Sequence, residues 1–159
     1  MTVSQHSAYK RPESVLVVVY TRVGEVLLLR RTDGPDYWQS VTGSMHWGDE
    51  PPLAAVAREL REETGITVSP QTLSDWHKSN RYSIFPEWRY KYAPGTSENT
   101  EHIFSLELPE AVTVTLTPAE HTDCLWLPFT EAAARVFSWT NREVIEALAR
   151  SAMRAASSG

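Results

Sequence analysis

Apolar residues along this chain follow two rhythms, and the change from one to the other marks out its elements. Ser14 to Tyr20 (Ser-Val-Leu-Val-Val-Val-Tyr) is β-branched and almost wholly apolar, as in a central strand covered on both faces. Gly24 supplies a turn, and Glu25 to Arg30 (Glu-Val-Leu-Leu-Leu-Arg) is the expected hairpin partner. Thr32 to Asp36 reads as loop, and Tyr37 to Thr42 as a short strand running into Gly43. The rhythm then turns helical. At about 100° per residue, Leu53, Val56, Ala57, Leu60 and Thr64 share one face of a helix. Pro51 or Pro52 suits its first turn, where no N–H is needed, and Gly65 suits a left-handed cap at its end.

Beyond the helix, Ile66 to Val68 resumes an extended segment, and Leu73 to Phe85 reads as a long strand or bent hairpin. Pro86 to Ser97, with Pro94-Gly95, is loop. Glu101 to Leu108 alternates as a strand with both faces partly covered, and Asp123 to Leu127 is a further strand. Thr130 is expected to cap a helix through Phe137, and Asn141 a second through about Met153. Met1 to Ser7 and Ala155 to Gly159 are expected to be loose ends. No repeat or linker interrupts the pattern, so residues 1–159 form one α/β domain with a mixed sheet.

Composition narrows the function. The net charge of −5 argues against general affinity for nucleic-acid polymers or membrane surfaces. An anionic substrate therefore needs a local basic patch and a metal. The single cysteine, Cys124, excludes an internal disulfide and reads as a small buried apolar residue. With no signal-peptide run and no stretch of about 18 apolar residues, a cytoplasmic protein is expected.

Glu59, Glu62 and Glu63 are related by i, i+3 and i+4, so they crowd one side of the helix. On the helical wheel Glu63 lies nearest the apolar stripe and Glu62 farthest from it. Like charges at ~4 Å cost on the order of 4 kcal/mol at an intermediate effective dielectric. A divalent cation removes that cost, and Mg²⁺ takes hard oxygen ligands while keeping waters and phosphate oxygens as the others. The plain alternative is a solvated helix face in which Arg58 and Glu62 form an i, i+4 pair worth about 0.3–0.5 kcal/mol.

The full pattern is Gly43, Glu50, then Arg58-Glu59-Leu60-x-Glu62-Glu63-x-Gly65-Ile66. It resembles the Nudix box of the Nudix hydrolases, which cleave nucleoside diphosphates linked to another group. The spacing from Gly43 to Glu50 is one residue longer than the family's, which lengthens the loop and leaves the helix intact. The resemblance implies the family's α/β/α sandwich with a mixed β-sheet.

Other segments carry the resemblance from Tyr9 to about Leu148: Tyr9-Lys10-Arg11-Pro12, Pro35 to Ser44, Tyr92-Ala93-Pro94-Gly95, Asn99-Thr100-Glu101 and Ser138-Trp139-x-Asn141-Arg142. They are similar to the branch of the family that releases pyrophosphate from 7,8-dihydroneopterin triphosphate in folate synthesis. That resemblance implies metal binding by Glu59, Glu63 and Glu120, with Mg²⁺ as cofactor and Mn²⁺ as a substitute. It implies further catalytic roles for Arg58, orienting the carboxylates, and Glu62, binding a further metal or positioning water. Contacts to a small-molecule triphosphate would come from Lys10, Arg30, Thr42, Tyr82, Ser83, Ile84, Phe85 and Ser138.

The residue types agree with those roles. Lys10 and Arg30 stand beside apolar strands, and both suit phosphate, Arg as a bidentate fork and Lys as a point charge. A pterin or purine needs a flat apolar slot, for which Trp38, Trp76, Tyr82, Phe85 and Trp88 are candidates. His46 and His121 read as surface residues without metal-ligand spacing, so no zinc site is expected. Two rival readings remain: a dATP-type nucleotide pyrophosphohydrolase with the same machinery, and a catalytically silent module that binds a nucleotide or partner. The intact Arg58, Glu59, Glu62 and Glu63 weigh against the second.

Overall fold

The structure, a computed structural model, describes residues 8–158. At its centre is β1 (Glu13–Thr21), the apolar run expected from the sequence. It pairs in parallel with β6 (Glu98–Leu108) from Glu13↔Thr100 to Thr21↔Leu108. On its other side β1 is shared. Its first half pairs antiparallel with β4 (Val41–Ser44), and its end meets β2 (Glu25–Arg31) at Tyr20↔Val26. The sheet therefore forks, because β2 turns away to pair antiparallel with β7 (His121–Pro128) and β3 (Trp38–Gln39). β5 (Ser74–Ser83) lines the outer edge of β6.

Alternation along β1 divides the core in two. Val15, Val17 and Val19 join Leu27, Leu29 and Phe104 against Val56 and Leu60 of helix α1 (Pro52–Thr64). Leu16 and Val18 join Val26, Leu28 and Ile103 against α2 (Phe129–Arg135) and α3 (Trp139–Ser158) through Ala132, Val144 and Ile145. Helices on both faces explain why β1 carries no polar alternation. The result is the expected α/β/α sandwich around a mixed seven-stranded sheet.

Several local expectations change. Tyr37 to Thr42 is not one strand: Ser40 separates β3 from β4, which belong to opposite arms of the fork. Ile66 to Val68 joins no ladder, although Ile66 and Val68 pack on the core. Leu73 to Phe85 resolves into one strand with a register shift between Asp75 and Ser79, where His77 sits at φ +50° and its N–H bonds Asp75 Oδ1 at 2.8 Å. Within the loop from Pro86, residues Pro86–Lys91 form 3₁₀ turns.

Neither expected cap is a cap. α2 begins at Phe129 directly after Pro128 and ends at Arg135, and α3 begins at Trp139, two residues before Asn141. Thr130 is inside a helix, and the Asn141 side chain bonds across the molecule instead. α3 also continues past Met153 to Ser158, so Ala155 to Ser158 is helical. The expectations for Met1 to Ser7 and Gly159 lie outside the described residues. Among the described residues no helix is long and apolar enough to cross a membrane.

Candidate active site

The α1 helix turns one acidic edge inward. Glu59 is 8% and Glu63 3% exposed, whereas Glu62 projects into solvent, in the order the wheel requires. Gly43 on β4 makes room for this. A Cβ there would collide with the Glu59 carboxylate as it stands, so glycine lets the carboxylate lie against the strand. At the far end of α1, Gly65 takes φ +78° and its N–H caps the Arg61 carbonyl.

Arg58 holds the edge together. Its Nε and Nη2 donate to the two Glu50 oxygens at 2.9 and 3.0 Å, a bidentate pair. Its Nη1 donates to Glu59 Oε1 at 2.7 Å and Glu62 Oε2 at 3.3 Å, and Nη2 also reaches the Ser44 carbonyl at 3.1 Å. The guanidinium, with the His46 N–H, lowers the Glu50 pKa to about 2, so Glu50 is a fixed anion bracing the longer loop.

Glu59 and Glu63 lie close enough to perturb each other, and burial raises the pKa of both. Glu63 Oε1 is buried with no hydrogen-bond partner. Two desolvated, mutually repelling carboxyls with an orphan oxygen make a donor set suited to a hard divalent cation. Glu120, exposed on the Thr117–His121 turn, is near enough to raise Glu63 further, and its carbonyl accepts the Thr32 N–H at 3.1 Å. Among the described residues no three His, Cys, Asp or Glu side chains converge closely enough to hold a metal ion unaided.

Beside this edge lies a cavity of about 360 Å³. Thr42, Gly43 and Ser44 form its wall towards the carboxylates. Lys10 lines it too, with a pKa lowered by desolvation and by Lys91 and Arg31, while Glu59 and Glu120 pull the other way. Tyr82, Ser83, Ile84, Phe85 and Ser138 line the remainder. Thr42 is held by its hydroxyl bond to the Val15 carbonyl at 2.9 Å, and Ser138 by contact with the Thr140 hydroxyl at 2.9 Å.

Arg30 is a correction. It lies outside the cavity, half-exposed, near Asp36 and Asp123 at 3.5 and 3.6 Å. The next residue, Arg31, lines the cavity instead: the β2–β7 register shifts between the two, and successive strand residues face opposite ways. Arg31 is anchored by Asp33 at 2.6 Å and lies 4.3 Å from the Trp88 ring centre. Lys91, 3.0 Å from Asp33, completes a cationic trio with Lys10 that sequence reading missed. Tyr92, Asn99, Glu101 and Phe137 were also missed, since only long-range pairing brings them here.

Of the aromatic candidates, Tyr82, Phe85 and Trp88 line the cavity. Phe85 stacks on Trp88 at 5.0 Å, and Phe137 meets both edge-on. Trp38 is core, and Trp76 packs on the helix-covered side with its N–H on Ser105. Cys124 is half-buried at the edge of the α1-side core. His46 is exposed as expected, but His121 is not: it is 4% exposed, 3.4 Å from Gln39 and 4.0 Å from Glu63. Burial and nearby Arg31 lower its pKa to about 4, which keeps the ring neutral.

Residues 10–148 match the model of the NUDIX domain. The dihydroneopterin triphosphate diphosphatase of Escherichia coli (strain K12) is 45% identical over 141 residues, covering 87% of this chain and 92% of that one. Its Haemophilus influenzae counterpart is 40% identical over 141 residues, covering 87% of each. The solved structure of the E. coli dihydroneopterin triphosphate pyrophosphohydrolase superposes with a TM-score of 0.82 at 44% identity, covering 87% of this chain and 95% of that one.

Proposed function

The chain belongs to the Nudix hydrolase family, and from that premise we propose that it converts 7,8-dihydroneopterin triphosphate to the monophosphate and pyrophosphate. The observation that carries this reading is one cavity bounded by the Gly43 wall at the carboxylates, a cationic trio and an aromatic slot. Phosphate, metal and heterocycle each meet matching chemistry there.

Nudix hydrolases use divalent metal ions, and we assign this one Mg²⁺, with Mn²⁺ as a substitute. When bound, such an ion polarises the phosphate and lowers the pKa of a coordinated water. Glu59 and Glu63 would hold it, with Glu120 completing the protein's share and Glu62 positioning water or a further ion. Arg58 keeps Glu59 in place through Nη1. Lys10, Arg31 and Lys91 offset charge on the triphosphate as its two outer phosphates leave as pyrophosphate. Thr42 and Ser138 orient the chain between phosphate and base, and Tyr82, Ser83, Ile84 and Phe85 frame the pterin. The cytoplasmic setting and the role in folate synthesis belong to the same proposal.

Product analysis tests it. With Mg²⁺ and equal concentrations of 7,8-dihydroneopterin triphosphate and dATP, pyrophosphate should come mainly from the pterin. Glu59→Gln should lower turnover by orders of magnitude, at least ~10²-fold, with circular dichroism unchanged. Preference for dATP would move the substrate to nucleotides, and release from neither would point to a binding module.

A further inference from the structure

Glu101 takes no part in the hydrolysis, yet it lines the cavity and is only 4% exposed. The Thr140 hydroxyl donates to its Oε1 at 2.7 Å, and no cation pairs with it at ion-pair distance among the described residues. Two residues earlier on β6, and so on the same strand face, Asn99 also lines the cavity at 2% exposure. Asn99 Nδ2 donates to Ser14 Oγ at 2.8 Å and to the Tyr82 hydroxyl oxygen at 3.0 Å. That orientation leaves Asn99 Oδ1 buried with no hydrogen-bond partner. One wall of the slot thus presents acceptors that the protein does not satisfy. A ligand seated against it must bring N–H donors.

The triphosphate reading supplies such a ligand, and the inference rests on it. A pterin carries N3–H and the 2-amino group side by side, a donor fork that matches the two oxygens of a carboxylate. Thr140 occupies one lone pair of Glu101 Oε1 and leaves the other free. We propose that Glu101 is the base-reading residue, accepting from N3–H and the 2-amino group, with Asn99 Oδ1 accepting a further ring or amino N–H. Guanine presents the same fork from N1–H and its 2-amino group. Adenine does not: beside its amino group stands a ring nitrogen lone pair, which would face a carboxylate oxygen. The wall therefore selects 2-amino-4-oxo heterocycles, pterin or guanine, over adenine. Rejection is expected to be strong because a mismatched base leaves buried acceptors unpaired.

The test compares wild type, Glu101→Gln and Glu101→Asp on three substrates with Mg²⁺: 7,8-dihydroneopterin triphosphate, dGTP and dATP. Binding of neopterin, followed by its fluorescence without metal, gives a readout independent of turnover. Both variants should lower the pterin-to-dATP ratio of kcat/KM by ~10-fold or more, lower the dGTP-to-dATP ratio in the same direction, and weaken neopterin binding. Glu101→Asp keeps the charge while withdrawing the fork, so a loss there reflects geometry. Wild type using the pterin while both variants keep its ratio would overturn this assignment alone. An equal loss on all three substrates would also overturn it, leaving Glu101 a structural residue. Wild type preferring dATP would overturn the substrate reading and this inference with it.

Discussion

At Glu101 burial is not offset by a charged partner, as it is at Glu50. With little more than the Thr140 hydroxyl to replace water, its pKa rises to about 7 from the ordinary 4.5. The sign follows: the native state holds a proton that the unfolded chain gives up, so this contribution is full below about 4.5 and is lost as pH rises through about 7. At 1.36 kcal/mol per pKa unit the whole swing is on the order of 3 kcal/mol. Glu101→Gln cannot ionise, so it should gain stability relative to wild type between pH 5 and pH 8, by urea unfolding at each. A constant difference between the two proteins would refute the assignment of that pKa. Much of the site was visible at this scale. The order of exposure of Glu62, Glu59 and Glu63 follows from helical geometry, because 100° per residue sets which carboxylate meets the core. Arg31 was not visible. Both arginines end the same apolar run, and only the packing around the end of β2 decides which faces the cavity.

Elements of the fold are joined at one point that no local pattern marks. Ser40 separates two short strands, and its N–H, without a ladder partner, donates to Asn141 Oδ1 at 2.8 Å. Asn141 Nδ2 donates in turn to Ser40 Oγ at 2.9 Å, and both residues are almost fully buried. The sequence reads Asn141 as a helix cap, which is what its side chain does when nothing distant competes for it. Here it ties α3 to the strands that present Thr42 and Gly43. Asn141→Ala would leave the Ser40 N–H and hydroxyl unsatisfied, at about 1–3 kcal/mol each. Denaturant unfolding should show a loss of roughly 2–6 kcal/mol with an unchanged m-value. A loss below about 0.5 kcal/mol, as at an ordinary surface site, would show that the link is dispensable. The strands and α1 were recognisable because periodicity is imposed by burial on whole elements; their ends were not, since caps and turns depend on single competing bonds.

The whole molecule is acidic, at net −5, yet it gathers Lys10, Arg31 and Lys91 around one cavity and a buried, only partly compensated carboxylate pair beside them. Cation binding to that pair in the native state alone should stabilise the fold. At a hundredfold excess over Kd the gain is about 2.7 kcal/mol, or roughly 5–10 °C in Tm for a domain of this size. Thermal unfolding in millimolar Mg²⁺ against EDTA should show that shift, and Glu63→Gln should lose most of it. An equal shift in both proteins would place the bound ion elsewhere. The sequence alone determined the layered α/β fold, the acidic helix and its glycine-bearing loop, and the reaction class. The fold and the helix rest on periodicities that act over a few residues, within reach of local geometry, and the reaction class on the resemblance of the motif they carry. Tertiary structure alone decided which cation faces the substrate, that His121 is buried against Glu63, and that Asn99 and Glu101 share a wall with Thr42. Each depends on strand register between segments far apart in the chain, where a one-residue slip turns every side chain to the opposite face.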